Sequence, residues 1–176
     1  RERAPHTSRR PVEAQQLWAI GDYGALTERY DTCGKAERRS ISDHIALLPA
    51  QPRISIVMPV YNPSAAHLRA ALDSVRAQLY PHWELCIADD ASTDPKIWPL
   101  LEKLARRDPR IRIMRRSENG HISAASNDAL ALARGEFVAL LDHDDELAPT
   151  PLYYVALARQ ENPARQVIHG AEDKLH

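Results

Sequence analysis

The sequence predicts an α/β fold in which a mostly parallel sheet lies between two layers of helices, preceded by a partly helical N-terminal extension. Two observations support this fold class. From Arg53 onward, short apolar runs alternate with segments whose apolar residues recur at helical spacing, which predicts right-handed crossovers and parallel strands. The apolar run at 137–141 also ends abruptly in four acidic residues out of five, at 142–146, as expected where a buried strand reaches the edge of a sheet.

Length and composition suit one domain with an extension. The chain has 176 residues, of which 44% are hydrophobic and 27% charged, and its formal net charge is -1. This charge gives no global electrostatic reason to expect a nucleic acid partner. No apolar run approaches the roughly 20 residues that span a bilayer, so we expect a cytoplasmic location, with any attachment to the inner face of the membrane made by parts outside this chain.

The two cysteines, Cys33 and Cys86, indicate neither a disulfide nor a zinc site. Cys86 lies inside an apolar run, where a thiol packs as a small hydrophobic side chain. A structural disulfide is therefore not expected, and the spacing of the pair matches no metal-binding motif.

Residues 1–52 lack the strand pattern that follows and are predicted to be an N-terminal extension. The spacing permits helices at 15–20 and at 36–48, the second with Ile41, Ile45 and Leu48 on one face. Pro49 and Pro52 mark the boundary. We therefore predict two parts, the extension at 1–52 and an α/β domain at 53–176.

The α/β domain is predicted to contain five strands, at 54–59, 83–88, 111–114, 137–141 and 167–169. A helical stripe follows each of the first four. The second helix should start at Asp94-Pro95, a favourable helix start, and the third, at 122–133, should be closed by Gly135 as its C-cap. The apolar stripes are Leu68, Ala71, Leu72 and Val75 in the first helix, Ile97, Leu100, Leu101 and Leu104 in the second, alanines in the third, and Leu152, Val155 and Ala156 in the fourth.

The fourth strand is the centre of the functional prediction. Its continuous apolar run is typical of a strand buried on both faces of a parallel sheet, and Asp142, Asp144 and Asp145 follow at its carboxyl end. Ligands of open α/β sheets bind at that edge, and neighbouring carboxylates repel one another unless a cation or hydrogen-bond donors neutralise them. Oxygen ligands favour Mg²⁺ or Mn²⁺ over zinc. The simpler interpretation is a solvated acidic loop that caps the next helix.

Polar residues follow the other strands as well, with Tyr61-Asn62 after the first and Asp89-Asp90 after the second. In a parallel sheet these loops share one edge. A carboxylate there can accept hydrogen bonds from a base or a ribose, a carboxylate-held cation can bridge a diphosphate, and the helix start after Asn119-Gly120 can favour phosphate. Together these groups predict a sugar-nucleotide site, although turn and capping roles explain each residue singly.

Two other groups of residues have simpler interpretations. His143 is interpreted as a spacer that points away from its acidic neighbours rather than as a metal ligand. Six arginines around the third strand are interpreted as a solvated face; they are Arg106, Arg107, Arg110, Arg112, Arg115 and Arg116.

Four motifs resemble the nucleotide-binding half of family-two glycosyltransferases, which have the GT-A fold. They are ISIVMPVYN at 54–62, PHWELCIADDASTD at 81–94, ENGHISAASN at 118–127 and LDHDDEL at 141–147. The resemblance spans Arg53 to the C-terminus. It implies a metal-dependent, inverting transferase, active in polysaccharide assembly, that moves a sugar from a nucleoside-diphosphate donor, expected to be UDP-linked, to a hydroxyl of a glycan or other acceptor.

The resemblance also implies roles for single residues. Pro59 and Tyr61 would line the base pocket, and Asp90, with Asp89, would contact the base. Asp142 would reach the ribose or the sugar. The remaining expected contacts are Asn119 on the nucleotide sugar, Asp144 as the metal ligand of the DXD element, and Asp145 as its neighbour and alternative ligand.

The sequence departs from the family pattern in three places. Ser126-Asn127 stands where many relatives have an arginine before the asparagine, and Gly170 and Ala171 replace two residues of a relative's Ser-Asp-Glu-Asp-Lys stretch. The acceptor-side half of the family, with its catalytic carboxylate, does not follow, so we expect an incomplete chain whose base lies beyond residue 176.

Two alternatives remain at this point. One is a non-catalytic module that binds a nucleotide sugar without turnover. The other is a phosphoacceptor receiver domain using Asp89-Asp90, Asp142 and Lys174. A receiver places its acidic pair after the first strand, where this chain has Tyr61-Asn62, so the order of motifs disfavours the receiver.

Overall fold

The computed structural model describes residues 33–164 and 166–168. The chain divides into two compact units, Arg1–Pro49 and Ala50–His176. The helix predicted at 15–20 lies outside the described residues, and the division into domains at 52 and 53 stays a prediction. In the first unit, helix α1 spans Lys35–Leu47. Ile41, Ile45 and Leu48 are buried, which confirms the predicted apolar face.

The second unit contains a four-stranded parallel sheet whose strand order is β3-β2-β1-β4. The strands are β1 (Ile54–Val60), β2 (Trp83–Asp89), β3 (Ile111–Arg115) and β4 (Phe137–Leu140). Ile54 pairs with Trp83 on one side and with Phe137 on the other. The first four predicted strands are therefore confirmed within a residue or two, together with the parallel sheet.

Helices follow all four strands: α2 (Ala65–Arg76), α3 (Ile97–Arg107), α4 (His121–Ala131) and α5 (Pro151–Glu161). All four apolar stripe residues predicted for α2 are buried. Ser64 caps that helix by accepting a hydrogen bond from the His67 backbone N–H, at 3.1 Å. Helix α3 begins at Ile97 rather than at Asp94-Pro95, because the Asp94 carboxylate accepts a hydrogen bond from the Lys96 N–H in a turn that precedes the helix.

Helix α4 packs directly on the sheet through its alanines. Ala125 and Ala129 lie against Val57 of β1 and Ala88 of β2, with Met114 of β3 at the margin. Small side chains on both surfaces let the helix approach the strands closely. This confirms the prediction that these alanines form the core and brings the start of α4 to the carboxyl edge of the sheet.

Strand β4 differs from the prediction. It was expected to be buried on both faces, but it pairs only with β1 among the described residues, and Val138 and Leu140 are 47% and 78% exposed. Among the described residues, the face of β4 that carries Val138 and Leu140 is therefore left uncovered, and the predicted burial on both faces is wrong for these two side chains. Residues 166–168 form no strand, so the predicted fifth strand is wrong for the two of its residues that are described, Val167 and Ile168; His169 lies outside.

Gly135 was predicted as a helix C-cap, and that prediction is wrong. Helix α4 ends at Ala131, and Leu132 is its C-cap. A Cβ on Gly135 would lie 2.5 Å from the Arg53 carbonyl oxygen and 2.8 Å from the Ser55 nitrogen. Glycine is required here because the loop runs against the backbone at the start of β1.

A buried carboxylate anchors the same loop. Glu84 of β2 is 5% exposed, and its Oε1 accepts hydrogen bonds from Ser55 Oγ at 2.8 Å and from the Arg134 N–H at 2.5 Å. Ser55 Oγ in turn accepts from the Gly135 N–H at 2.8 Å. These hydrogen bonds join the Gly135 loop to Ser55 of β1 and Glu84 of β2, and so they fix where β4 begins beside β1.

Both cysteines are free, as predicted. Cys86 is fully buried in β2, and this burial raises the pKa of its thiol to about 11. Among the described residues, none of the helices is both long and apolar enough to cross a membrane.

Candidate functional site

A cavity of about 520 Å³ opens at the carboxyl edge of the sheet. All four strands contribute to it, either by their last residues or by the loops that follow them. The lining residues are Pro59, Val60, Tyr61, Asp90, Asn119, His121, Ile122, Ala125, Asp142, His143 and Asp144.

Six of the eight predicted site residues meet in this cavity: Pro59, Tyr61, Asp90, Asn119, Asp142 and Asp144. Asp89 and Asp145 are not among its lining residues. A larger hollow, of about 760 Å³, lies at the opposite ends of the strands, around Ile54 and Phe137. Its polar lining residues are Glu136, Arg159 and Gln166, so it lacks the group of carboxylates that makes the smaller cavity a candidate site.

Backbone strain is concentrated around the smaller cavity. Asn62, Ala91 and His121 have φ angles of 45°, 58° and 63°. They follow β1 and β2 and begin α4, so all three lie at the carboxyl edge. Left-handed residues other than glycine are uncommon and gather at functional sites.

Asn62 ties the loops after β1 and β2 together. Its Oδ1 accepts hydrogen bonds from the Thr93 and Asp94 N–H groups, at 2.8 Å and 3.3 Å, and its own N–H donates to Ser92 Oγ at 3.0 Å. The Asn62 side chain is therefore occupied within the protein. Tyr61, which is 45% exposed, is the aromatic side chain that this turn presents to the cavity.

Asp90 is buried on the cavity wall, with 2% of its surface exposed. Its Oδ1 accepts a hydrogen bond from the Gly120 N–H at 2.9 Å and lies 2.8 Å from Arg116 Nε. A buried charge needs such partners to offset its lost hydration. Both contacts fall on the same oxygen, so Oδ2 is the atom with capacity for a ligand.

Asp89 has a different position from its neighbour. It is fully buried, its Oδ1 accepts a hydrogen bond from the Ser92 N–H at 3.1 Å, and its Oδ2 lies 3.2 Å from Arg115 Nε. The two adjacent carboxylates therefore have different roles. Asp89 holds its own loop, and Asp90 borders the cavity.

The acidic loop after β4 contributes Asp142, His143 and Asp144 to the cavity. His143 was interpreted as a spacer pointing elsewhere, but it lines the cavity, and its Nδ1 lies 3.3 Å from the Pro59 carbonyl oxygen. The strand alternation ends at Leu140, and the Asp145 N–H donates to the Asp142 carbonyl oxygen at 3.2 Å in a turn. Asp142, Asp144 and Asp145 are exposed.

The donor set of this loop fits a divalent cation in part. Asp142 and Asp144 supply carboxylate oxygens at one cavity, which suits Mg²⁺ or Mn²⁺ held by one or two carboxylates together with substrate phosphates. Within residues 33–164 and 166–168, no three His, Cys, Asp or Glu side chains are arranged to hold a metal on their own. A cation at this site would therefore need ligands from a bound molecule.

The amino end of α4 borders the same cavity through His121 and Ile122. The Asn119 side-chain oxygen accepts a hydrogen bond from the His121 N–H at 3.1 Å, and Gly120 precedes the helix without a side-chain cap. Backbone donors and the positive end of the helix dipole favour an anion near this point.

The arginines around β3 form a solvated face only in part: Arg106 and Arg107 are exposed, whereas the other four have specific partners. Arg110 lies 3.7 Å from the centre of the Trp83 ring and pairs with Asp108 at 2.8 Å. Arg112 donates to the Leu132 carbonyl oxygen. The sequence interpretation did not identify Arg115 and Arg116 as partners of Asp89 and Asp90. The sequence does contain a pair of arginines at the end of the third strand and a pair of aspartates at the end of the second. The register of the two strands brings these pairs together by placing Asp89 opposite Arg115.

The parallel sheet flanked by helices, together with the solved structures that it resembles, places this domain in the GT-A class of glycosyltransferase folds. The family model described as Glycosyl transferase family 2 matches residues 55–173, and the chain belongs to that family.

Named relatives and solved structures agree with this assignment. The chain is 44% identical over 153 residues to the uncharacterized protein y4gI of Sinorhizobium fredii, covering 87% of this chain and 17% of that protein. It is 40% identical over 131 residues to the O-antigen biosynthesis protein RfbC of Myxococcus xanthus, covering 74% of this chain and 10% of RfbC. The structure of S. aureus TarS 1-349 in complex with UDP-GlcNAc superposes with a TM-score of 0.57 at 28% identity, covering 63% of this chain and 32% of that one. The chain therefore spans a small part of the curated relatives that it matches.

Proposed function

We propose that the cavity binds the nucleoside diphosphate of a sugar donor, and that the protein containing this chain transfers the sugar to a hydroxyl group of a glycan acceptor. The observation that carries the proposal is the convergence of Tyr61, Asp90, Asp142 and Asp144 on one cavity of about 520 Å³. UDP is the favoured nucleotide because TarS, a family relative by fold at 28% identity, was solved with UDP-GlcNAc.

At the base end of the site, Pro59 and Tyr61 are proposed to pack against the base, since an aromatic face offers stacking area to any base. Asp90 is proposed to accept a hydrogen bond from a base N–H through Oδ2. Asn119 and the amino end of α4 also border the cavity, and the positive end of the helix dipole there favours phosphate. Asp142 is proposed to accept from a ribose or sugar hydroxyl.

Asp144, with help from Asp142 or Asp145, is proposed to hold Mn²⁺ or Mg²⁺ together with the diphosphate oxygens. Asp144 is the better candidate than Asp145 because it lines the cavity. When bound, the cation supplies Lewis-acid stabilisation of the departing diphosphate. The carboxylates of this chain would hold the cation and balance its charge.

We further propose that transfer occurs with inversion in a single displacement. The acceptor oxygen forms a bond to the anomeric carbon of the sugar while the bond from that carbon to the diphosphate oxygen breaks, and its electron pair leaves with the nucleoside diphosphate. The hydroxyl proton passes to a general base, which we place outside the residues named above. This chain's part is to bind and orient the donor.

A second candidate is a non-catalytic module that binds a nucleotide sugar without transferring it. The cavity alone is compatible with either function, and turnover separates them. Membership of a glycosyltransferase family excludes the receiver-domain alternative.

Calorimetric titration of this chain with UDP, in the presence and absence of Mn²⁺, tests the proposed binding. We expect binding that Mn²⁺ strengthens by at least tenfold, about 1.4 kcal/mol. UMP is the matched control, because it keeps the base and ribose but lacks the second phosphate, and Mn²⁺ should affect its binding much less. Equal affinity for UDP with and without Mn²⁺ would contradict metal dependence, and absence of binding in all conditions would contradict the nucleotide site.

A further inference from the structure

Arg116 is the partner that fixes Asp90, and it is itself held from two sides. Its Nε lies 2.8 Å from Asp90 Oδ1, and its Nη1 contacts Asp128 Oδ2 on α4. Its backbone N–H donates to the Asp89 carbonyl oxygen at 2.9 Å, which continues the β2–β3 ladder by one residue. The side chain is 19% exposed. Because two nitrogens of the planar guanidinium, Nε and Nη1, each contact a carboxylate, the group has little freedom to move.

Gly120 provides the space for this arrangement. A Cβ at Gly120 would lie 2.5 Å from Arg116 Nη2 and 2.9 Å from the Ala124 Cβ. The same residue donates its N–H to Asp90 Oδ1 at 2.9 Å. Gly120 and Arg116 therefore occupy one oxygen of Asp90 together, from the backbone and from a side chain.

The neighbouring pair Asp89 and Arg115 provides a contrast within the same loops. Asp89 is also buried and also meets an arginine, with its Oδ2 3.2 Å from Arg115 Nε. Arg115 also donates to the Ser92 carbonyl oxygen at 3.1 Å. Asp89 and Arg115 are both absent from the cavity lining, whereas Asp90 is part of it. Of the two aspartates, only Asp90 can therefore contact a ligand in the cavity, and Arg116 is the arginine that holds it.

We propose that Arg116 is a positioning residue for base selection: by holding Asp90 Oδ1, it presents Oδ2 as a pure acceptor to the N3–H of uracil and makes the site discriminate against cytosine. This inference rests on the proposed function. Cytosine has an unprotonated acceptor at N3, which a fixed carboxylate oxygen would repel. Sites built around a buried polar group reject ligands that leave that group unpaired.

The test compares the affinities of UDP and CDP, measured by calorimetry with Mn²⁺, for wild type, Arg116→Gln and Arg116→Lys. We expect wild type to prefer UDP by about thirtyfold. Arg116→Gln should reduce UDP affinity by about tenfold and bring the UDP to CDP preference within about threefold, because Asp90 can then reorient. Arg116→Lys keeps the charge but cannot bridge Asp90 and Asp128, and it should retain an intermediate preference.

Arg115→Gln is the matched control. It removes an equivalent ion pair from the adjacent carboxylate, so it should lower the midpoint of thermal unfolding, yet leave the ratio of UDP to CDP affinity unchanged. If Arg116 were only a structural residue, its substitution would weaken both nucleotides in parallel and keep their ratio. If Arg116→Gln still binds UDP and its ratio of UDP to CDP affinity equals that of wild type, the positioning role of Arg116 is overturned, whereas the proposed nucleotide site is not.

A measurement without nucleotide separates this inference from the proposed function. The Nε–H signal of Arg116 in a ¹H–¹⁵N spectrum should be displaced from those of exposed arginines, and Asp90→Asn should shift it. A signal that does not respond to Asp90→Asn would overturn the inference even if UDP binds. If the signal responds but wild type binds no nucleotide, the proposed function fails, and the base-selecting role fails with it.

Discussion

Asp144→Asn is expected to reduce the affinity for UDP in the presence of Mn²⁺ by about a hundredfold, because it removes a charged oxygen ligand from a site with few others. In the absence of Mn²⁺ the variant and wild type should bind UDP alike. Asp144 is exposed on a loop, so its substitution should leave the unfolding midpoint unchanged. Calorimetry with and without the metal, alongside thermal unfolding, measures each of these.

Two further variants make the Asp144 result specific. Asp73→Asn removes the same charge from the exposed surface of α2, where Asp73 pairs with Arg76, and it should bind UDP as wild type does. Asp145→Asn should have a smaller effect than Asp144→Asn, because Asp145 does not line the cavity. A larger effect at Asp145 would transfer the principal ligand role to that residue, and equal affinities for Asp144→Asn and wild type would exclude Asp144 as a ligand.

Gly135→Ala is expected to lower the free energy of unfolding by about 3 kcal/mol. The new methyl group would lie 2.5 Å from the Arg53 carbonyl oxygen and 2.8 Å from the Ser55 nitrogen, and backbone atoms cannot move aside as a flexible side chain can. Relief requires the loop to shift, which would also strain the hydrogen bonds that join Glu84, Ser55 and Gly135. Urea unfolding of the variant and wild type measures the loss.

Gly34→Ala is the control for this substitution. Gly34 has open space around it and is the N-cap of α1, so the change should cost less than about 1 kcal/mol. Because the Gly135 loop sets the start of β4, and β4 leads to Asp142 and Asp144, Gly135→Ala should also weaken UDP binding. A variant as stable as wild type would show that this close approach is absent in solution.

The sequence was sufficient for the first four strands and for the edge where the site lies. Four of the five predicted apolar runs form strands; each of these four is short and is followed by a helical segment, the alternation that is typical of a parallel sheet. Parallel pairing then requires the loops after β1, β2 and β4 to share one edge. Six predicted residues meet in the cavity for this reason.

What the sequence did not predict depends on tertiary placement. An apolar run does not show whether both faces of a strand are covered, so the exposure of Val138 and Leu140 on one face of β4 was not foreseen. The direction of His143 is set by the turn at 142–145, where the strand alternation no longer applies. The partners of Arg115 and Arg116 depend on the register between β2 and β3, which no local pattern specifies.

The difference between Asp89 and Asp90 has the same origin. Asp89 is the last residue of β2, and Asp90 is the first beyond it. Asp89 is held within its own loop by the Ser92 N–H and by Arg115, whereas Asp90 reaches the cavity wall. The motif alone identifies the pair as important but does not say which member faces the ligand.

The most direct test of the central claim is a ¹H–¹⁵N titration of this 19.8 kDa chain with UDP and Mg²⁺, which unlike Mn²⁺ does not broaden the signals. If the cavity at the carboxyl edge is the nucleotide site, the largest shift changes will fall at 60–62, 90–92, 119–122 and 142–144. Changes centred instead on 136–139 and 164–168, around the larger hollow, would contradict it.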